Sequence, residues 1–221
     1  MSVRKVVVAR QLPLSAAAGL PLFRTSGRER RELRSRNPRP SRLDKCACCC
    51  RSMGGMKPKR TRSTSLTDRQ AMGIAIREAL AGVGQGQSPF GCAVVKGRRL
   101  VASAHNTVWQ TCDSTAHAEM NAIRKACRKL GTIDLSCCVL YTTCEPCPMC
   151  YAAAHWARIP RVVFGARIRD AQVAGFNELV IPASKMRRFS GDEIELEPGF
   201  MRSECRQLFR SWIERGGGKA Y

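Results

Sequence analysis

The chain has 221 residues, 44% hydrophobic and 25% charged, with 38 Lys and Arg against 17 Asp and Glu for a formal net charge of +21. That length supports one domain of ordinary size with a full hydrophobic core, and the composition excludes wholesale disorder. No apolar run approaches the ~18–20 residues of a membrane-crossing helix, so no membrane partner is expected.

The charge is unevenly spread. Residues 1–62 hold 17 Lys and Arg against three acids, a net of +14, whereas residues 63–221 carry only +7. Arg, Ser and Pro dominate between Arg24 and Arg42, no acid precedes Glu29, and no helical or strand period lasts. Residues 1–62 therefore read as a disordered basic extension. Three origins fit it: a stretch upstream of a true start at Met53 or Met56, an organellar targeting segment, or a functional basic tail. A cytoplasmic location is expected, with mitochondrion or plastid as the alternative if residues 1–52 are a transit peptide.

Thirteen cysteines without a regular framework favour a reducing compartment and a metal site over a disulfide scaffold. The Cys46, Cys48, Cys49, Cys50 cluster lacks a partner pair at zinc-finger spacing.

Residues 66–221 form the expected functional domain. Thr67-Asp68 starts a helix whose buried stripe is Met72, Ala75, Ile76, Ala79, Leu80 and Val83, ended by Gly84 and Gly86. Residues 90–96 and 99–105 flank a glycine turn and read as a hairpin. A polar loop, 106–114, leads to Thr115, the expected cap of a helix through Leu130 with Met120, Ile123, Ala126, Cys127 and Leu130 buried. Cys138–Thr142 reads as a buried strand, Cys147–Ala157 as a helix, and Arg161–Ala166 as a further strand beyond Pro160. A short helix near Pro182–Phe189 and an amphipathic one over Met201–Glu214, with Cys205, Leu208, Phe209 and Trp212 on one face, complete the chain. Alternating strands and helices point to an α/β layered domain, its sheet largely parallel after the opening hairpin.

The chemistry lies in Thr115-Ala-His117-Ala-Glu119 and Cys144-Glu-Pro-Cys147-Pro-Met-Cys150. Zinc favours imidazole and thiolate, and a catalytic zinc keeps three protein ligands plus a water. His117, Cys147 and Cys150 supply such a set. The two cysteines share one face of a helix start, where free N–H groups and the helix dipole favour thiolates. Glu119 is the natural base, although two residues is a poor spacing for side chains of a regular helix to meet. Cys144, at a strand end before Pro146, is expected to pack; His105 and His155 are read as structural, His155 partly buried beside Trp156.

The paired segments, His-Ala-Glu and then Pro-Cys-x-x-Cys, resemble the zinc-dependent cytidine/deoxycytidylate deaminase superfamily over residues 66–221. Pro89-Phe90-Gly91, Asn106, the run from Thr115 to Ala126, Trp156-Ala157-Arg158, Ala174-Gly-Phe-Asn-Glu178 and the terminal Lys219-Ala-Tyr221 are most similar to its guanine deaminase and nucleoside deaminase branch. The resemblance implies a three-layer α/β/α sandwich around a five-stranded mixed sheet, one Zn2+ per chain, and a homodimer with a swapped C-terminal segment in some members. It also implies that Asn106 binds the purine, that Glu178 is a second proton carrier, and that Tyr221 closes the pocket. Some relatives carry Asp where Glu178 stands. Asn106 also suits a turn-stabilising loop residue, and Phe90 either packs beneath the site or stacks on a bound ring.

The expected reaction is hydrolytic deamination of a free nucleobase, guanine to xanthine and ammonia, with Glu119 moving the proton. Deamination of adenosine in tRNA is the first alternative, and cytosine, a nucleoside or another aminated heterocycle the second. Nucleic acid is not the expected partner, since the +7 over residues 63–221 suits an ordinary solvated surface. A reading from another class, an inactive zinc-stabilised nucleic-acid-binding protein, conflicts with an intact Glu119.

Overall fold

The computed structural model describes residues 65–217 and Ala220. The basic extension over residues 1–62, the Cys46–Cys50 cluster and Tyr221 lie outside the described residues.

Helix α1 (Asp68–Gly84) opens with a reciprocal cap: the Gln70 N–H donates to Thr67 Oγ1 at 3.2 Å, and the Thr67 N–H donates to Gln70 Oε1 at 2.8 Å. Strands β1 (Gly91–Lys96) and β2 (Arg99–His105) form the expected hairpin. After the one-turn helix α2 (Val108–Thr111) come α3 (Ala118–Leu130), β3 (Cys138–Cys144), α4 (Pro148–Trp156) and β4 (Arg161–Ala166). Helices α5 (Ile168–Val173) and α6 (Ala183–Ser190), strand β5 (Glu195–Pro198) and helix α7 (Arg202–Glu214) complete the order.

The strands make one mixed five-stranded sheet, β2-β1-β3-β4-β5. The pairs β1–β2 and β1–β3 are antiparallel; β3–β4 and β4–β5 are parallel. Side chains alternate across this sheet with period two, and each face has its own core. Cys92, Val94, Leu140, Val162 and Phe164 pack against Ala122, Ile123 and Ala126 of α3 and Tyr151 and Ala154 of α4. Ala93, Val95, Tyr141 and Val163 face the other way, against Ala71, Met72 and Ala75 of α1 and Cys205, Phe209 and Trp212 of α7. The result is a three-layer α/β/α sandwich. Among the described residues no helix is long and apolar enough to cross a membrane, and every described cysteine is a free thiol.

Three elements escape the sequence pattern. Helix α2 is a single turn inside the expected loop, and α5 is only six residues long. Strand β5 is an edge of four residues ending in proline, marked only by the brief alternation Ile194-Glu195-Leu196-Glu197. Leu196 packs on the core, and charge supports the register on the other face. Arg161 on β4 bonds Glu197 of β5 and Asp68 of α1, the latter at 2.9 Å, with Glu195 at 3.9 Å. The hydrogen bond from Arg161 holds the Asp68 carboxyl below its ordinary range.

Several expectations need correction. Helix α3 starts at Ala118 with His117, not Thr115, in the capping position. The Thr115 hydroxyl donates instead to Asp113 Oδ1 at 2.7 Å and accepts from Arg124 at 3.2 Å. Met120, Cys127 and Leu130 are half-buried. Leu80 is 45% exposed, because α1 meets the sheet through Ala71, Ala75 and Ala79, which turns Leu80 with Ile76 toward a groove against α7. His155 is exposed and bonds Asp192 at 2.7 Å.

Small side chains on α1 allow a very close approach to β1. A Cβ on Gly91 would lie 2.0 Å from the Ala75 carbonyl oxygen and 2.6 Å from the Ala79 nitrogen, both backbone atoms of a helix that cannot yield locally. Gly91→Ala is therefore expected to destabilise the domain by about 3 kcal/mol through overpacking. Urea titration of both proteins measures it.

Candidate active site

Helices α3 and α4 sit on the same face of the sheet, and each begins with a residue outside the helix. His117 (φ −64°, ψ 158°) and Cys147 (φ −64°, ψ 167°) are both extended N-caps. Pro148 at the first position of α4 enforces that start, since its ring sets a helical φ and its missing N–H would be unpaired anyway. Cys150 follows in the first turn of α4 and is fully buried.

The extended start resolves the spacing problem between His117 and Glu119. Because His117 is not helical, its ring leaves the helix surface and turns to the cysteines while Glu119, in the first turn, points inward. His117 Nδ1 lies 3.8 Å from Cys147 Sγ and 3.6 Å from Cys150 Sγ. Among the described residues these three make the one His/Cys/Asp/Glu group with ligand atoms all within 4.8 Å of one another. Zinc–sulfur bonds of about 2.3 Å and zinc–nitrogen bonds of about 2.0 Å at tetrahedral angles separate ligand atoms by about 3.5–3.8 Å. The residues present thus fit one zinc ion, and the donor set is that of a zinc centre with an open position.

The hydrogen bond from the Cys150 thiol, helped by His117, brings Cys147 down to about 4 against the cost of burial, and the same bond raises Cys150 well above the usual thiol range. A divalent cation would favour thiolate at both, so metal uptake releases a proton here.

Glu119 is 6% exposed. Its Oε1 accepts from Thr142 Oγ1 at 2.9 Å and its Oε2 from Cys150 Sγ at 3.5 Å. Burial raises its carboxyl above the ordinary range, with His117 opposing. Glu119 opens onto a small cleft, also lined by Phe90, His117, Cys144, Glu145, Cys147 and Glu178. Glu178 is half-buried in that wall, its carboxyl pushed up to about 7 by burial and by the neighbouring Cys147 charge. Two carboxyls with raised pKa values facing one cleft make a pair able to carry protons near neutrality.

Phe90 both packs and lines. Its ring meets Phe176 edge-on at 4.9 Å and Phe209 at 5.6 Å, while part of it reaches the cleft. Asn106 is fully buried, its Oδ1 accepting from the Val108 N–H at 3.1 Å and its own N–H donating to the Phe90 carbonyl at 3.1 Å. That is turn-stabilising geometry, and Asn106 is not among the residues lining the cleft. Cys144 is buried at the strand end with its thiol toward the Arg167 carbonyl, 3.6 Å away, and outside the ligand group. Two participants were missed in the sequence, Thr142 and Glu145. Both are polar residues in or beside the buried run of β3, and that was the available signal.

Comparison with known proteins agrees with this centre. Residues 65–166 match the cytidine and deoxycytidylate deaminase zinc-binding region. The chain is 45% identical to a guanine deaminase of Bacillus subtilis over 113 residues, 51% of this chain and 70% of that one. It is 46% identical to a tRNA-specific adenosine deaminase of Aquifex aeolicus over 116 residues, 52% of this chain and 77% of the other. The solved structure of a guanine deaminase from Nitrosomonas europaea superposes with a TM-score of 0.63 at 30% identity, covering 67% of this chain and 86% of that one. Likeness at this level, spanning most of each relative and including the residues that gather around the metal position, places the chain in the cytidine and deoxycytidylate deaminase family, zinc-dependent hydrolases of carbon–nitrogen bonds.

Proposed function

We propose that this deaminase acts on a free purine base, hydrolysing guanine to xanthine and ammonia. The observation that carries the reading is the placement of Glu178: a second carboxyl, half-buried, in the same cleft wall as Glu119 and His117. Guanine offers a ring nitrogen that must gain a proton and an amine that must leave with one, so two carriers in one cleft suit it. The likeness to guanine deaminases in both sequence and fold supports the same base.

His117, Cys147 and Cys150 would hold the zinc, which when bound supplies an acidified water and a positive charge beside it. Glu119 takes the proton of the attacking water and passes it to the ring nitrogen next to the amino-bearing carbon. Thr142 keeps one carboxylate oxygen of Glu119 engaged; the other lies 3.5 Å from Cys150 Sγ, beside the metal position, and would carry that transfer once Cys150 is a metal-bound thiolate. Glu178, in the wall of the cleft, gives a second proton to the departing amine, and Glu119, again a carboxylate, takes up the hydroxyl proton released as the carbonyl forms. Phe90 supplies an apolar wall against which a flat ring packs. Acid–base transfer of this kind contributes about 10²–10⁴-fold. Tyr221 keeps its proposed part in holding the base, and Asn106, its oxygen engaged by the Val108 N–H, acts from behind Phe90 by holding the loop.

A homodimer is part of this proposal. Val173, Leu179, Val180 and Ile181, from 40% to 89% exposed, cluster in sequence around Glu178, and a second copy would cover them.

The second reading, adenosine in tRNA, draws on the Aquifex aeolicus relative and on the exposed Lys125, Arg128 and Lys129 along α3, a face suited to phosphates. An ammonia-release screen over guanine, guanosine, cytosine, adenine, ammeline and a tRNA anticodon arm separates the two. Guanine is expected to react fastest; inosine in the anticodon arm with no ammonia from guanine reverses the ranking. Metal analysis of the purified protein is expected to find about one zinc per chain, lost together with activity in Cys147→Ser. Glu119→Gln is expected to retain zinc while kcat falls at least about 10²-fold, as read in single-turnover assays of the zinc-loaded variant.

A further inference from the structure

Glu145 follows the last residue of β3 and precedes the Pro-Cys turn into α4, and its side chain is almost completely buried, at 6% exposure. Among the described residues its hydrogen bonds go to backbone N–H groups. Its Oε1 accepts from the Ala183 N–H at 3.1 Å and its Oε2 from the Ile168 N–H at 3.3 Å. These are the first residues of α6 and α5.

Neither helix supplies its own acceptor for those groups. Pro182, before α6, has no polar side chain; at α5 Arg167 carries only donors, and the Asp170 carboxylate accepts from the Arg167 N–H at 2.8 Å and not from Ile168. One carboxylate therefore serves two helix starts, where negative charge is favoured and backbone N–H groups otherwise go unpaired. The Glu145 N–H donates to the Ala166 carbonyl at 2.9 Å, which ties the same residue to the end of β4.

Between α5 and α6 runs a loop, residues 174–182, that carries Phe176 and Glu178. Phe176 is 4% exposed, packed against Phe90 and Trp212. The loop that bears Glu178 is held at both flanking helices by Glu145, a residue two positions before the metal ligand Cys147. We propose that Glu145 is a positioning residue, its carboxylate setting the loop 174–182, and with it Glu178, relative to the His117–Cys147–Cys150 centre. This rests on the reading of Glu178 as a proton carrier.

A double-mutant cycle on the zinc-loaded full chain tests it, with ammonia release from guanine, or from whichever base the screen identifies, as the assay. Glu145→Gln keeps the shape but turns one of the two acceptors into a donor facing an N–H. It is expected to keep one zinc per chain and to lower kcat about tenfold or more with KM little changed, since a misplacement of about 1 Å costs on the order of 10²-fold. In the Glu178→Ala background the same substitution is expected to cost less than about twofold, because the group it positions is gone. Hydrogen exchange should quicken over residues 174–182 in Glu145→Gln and stay unchanged over α3. Equal losses in both backgrounds, or an unchanged kcat in Glu145→Gln, overturn the positioning role. Glu178→Ala with undiminished kcat overturns instead the role of Glu178, a separate result read before the cycle is closed. Should Glu145→Gln not fold, Glu145→Asp, which keeps the charge but is one methylene shorter, goes through the same cycle with the same criteria.

Discussion

Two helices begin at the same place, and the site exists because each begins with an extended residue. A histidine inside the first turn of α3 would point along the helix surface with its neighbours. Placed one step outside, at the cap, it turns across to α4, where Cys147 stands in the same relation to its own helix. The two N-termini bring partial positive charge to the spot where thiolates must form. The sheet fixes the distance between them, since α3 and α4 rest on one continuous core beneath β1, β3 and β4. The metal position is therefore a product of helix starts and sheet register together.

Burial then sets the acid–base character. Glu119 is enclosed, yet Thr142 meets one of its oxygens from the central strand, so the carboxyl is not an unpaired polar group in the core. Enclosure disfavours its charge, as it does for Glu178. A cation held by His117, Cys147 and Cys150 would work in the opposite direction on both. The balance between a dry cleft and a nearby cation is what keeps such carboxyls able to accept and to give protons.

Much of this was legible in the sequence where a local rule applied. Thr67-Asp68 announced the start of α1, the glycine turn announced the hairpin, and Cys205, Leu208, Phe209 and Trp212 announced the buried face of α7. The three ligand residues were legible from residue type and spacing. What stayed hidden depended on tertiary partners. Thr115 carries the composition of a cap, but Asp113 and Arg124 engage it, and the helix waits for His117. Leu80 keeps helical spacing, yet the closeness of α1 to Gly91 decides which side faces the sheet. Glu145 looks like a solvent-facing acid beside a proline until α5 and α6 are placed on it. Strand β5 offers only the brief alternation Ile194-Glu195-Leu196-Glu197, and its acids find their partner, Arg161, only once β4 lies beside it.

That last strand has a further consequence. An open sheet margin offers a row of unpaired amides and carbonyls to any extended peptide, including another copy in a partly unfolded state. Here the margin is only four residues long, bears Glu195 and Glu197, and finishes in Pro198, which has no amide hydrogen to give. Growth of the sheet past β5 is thus blocked by like charge and by a missing donor, and the enzyme can keep a parallel sheet open on that flank without seeding its own aggregation.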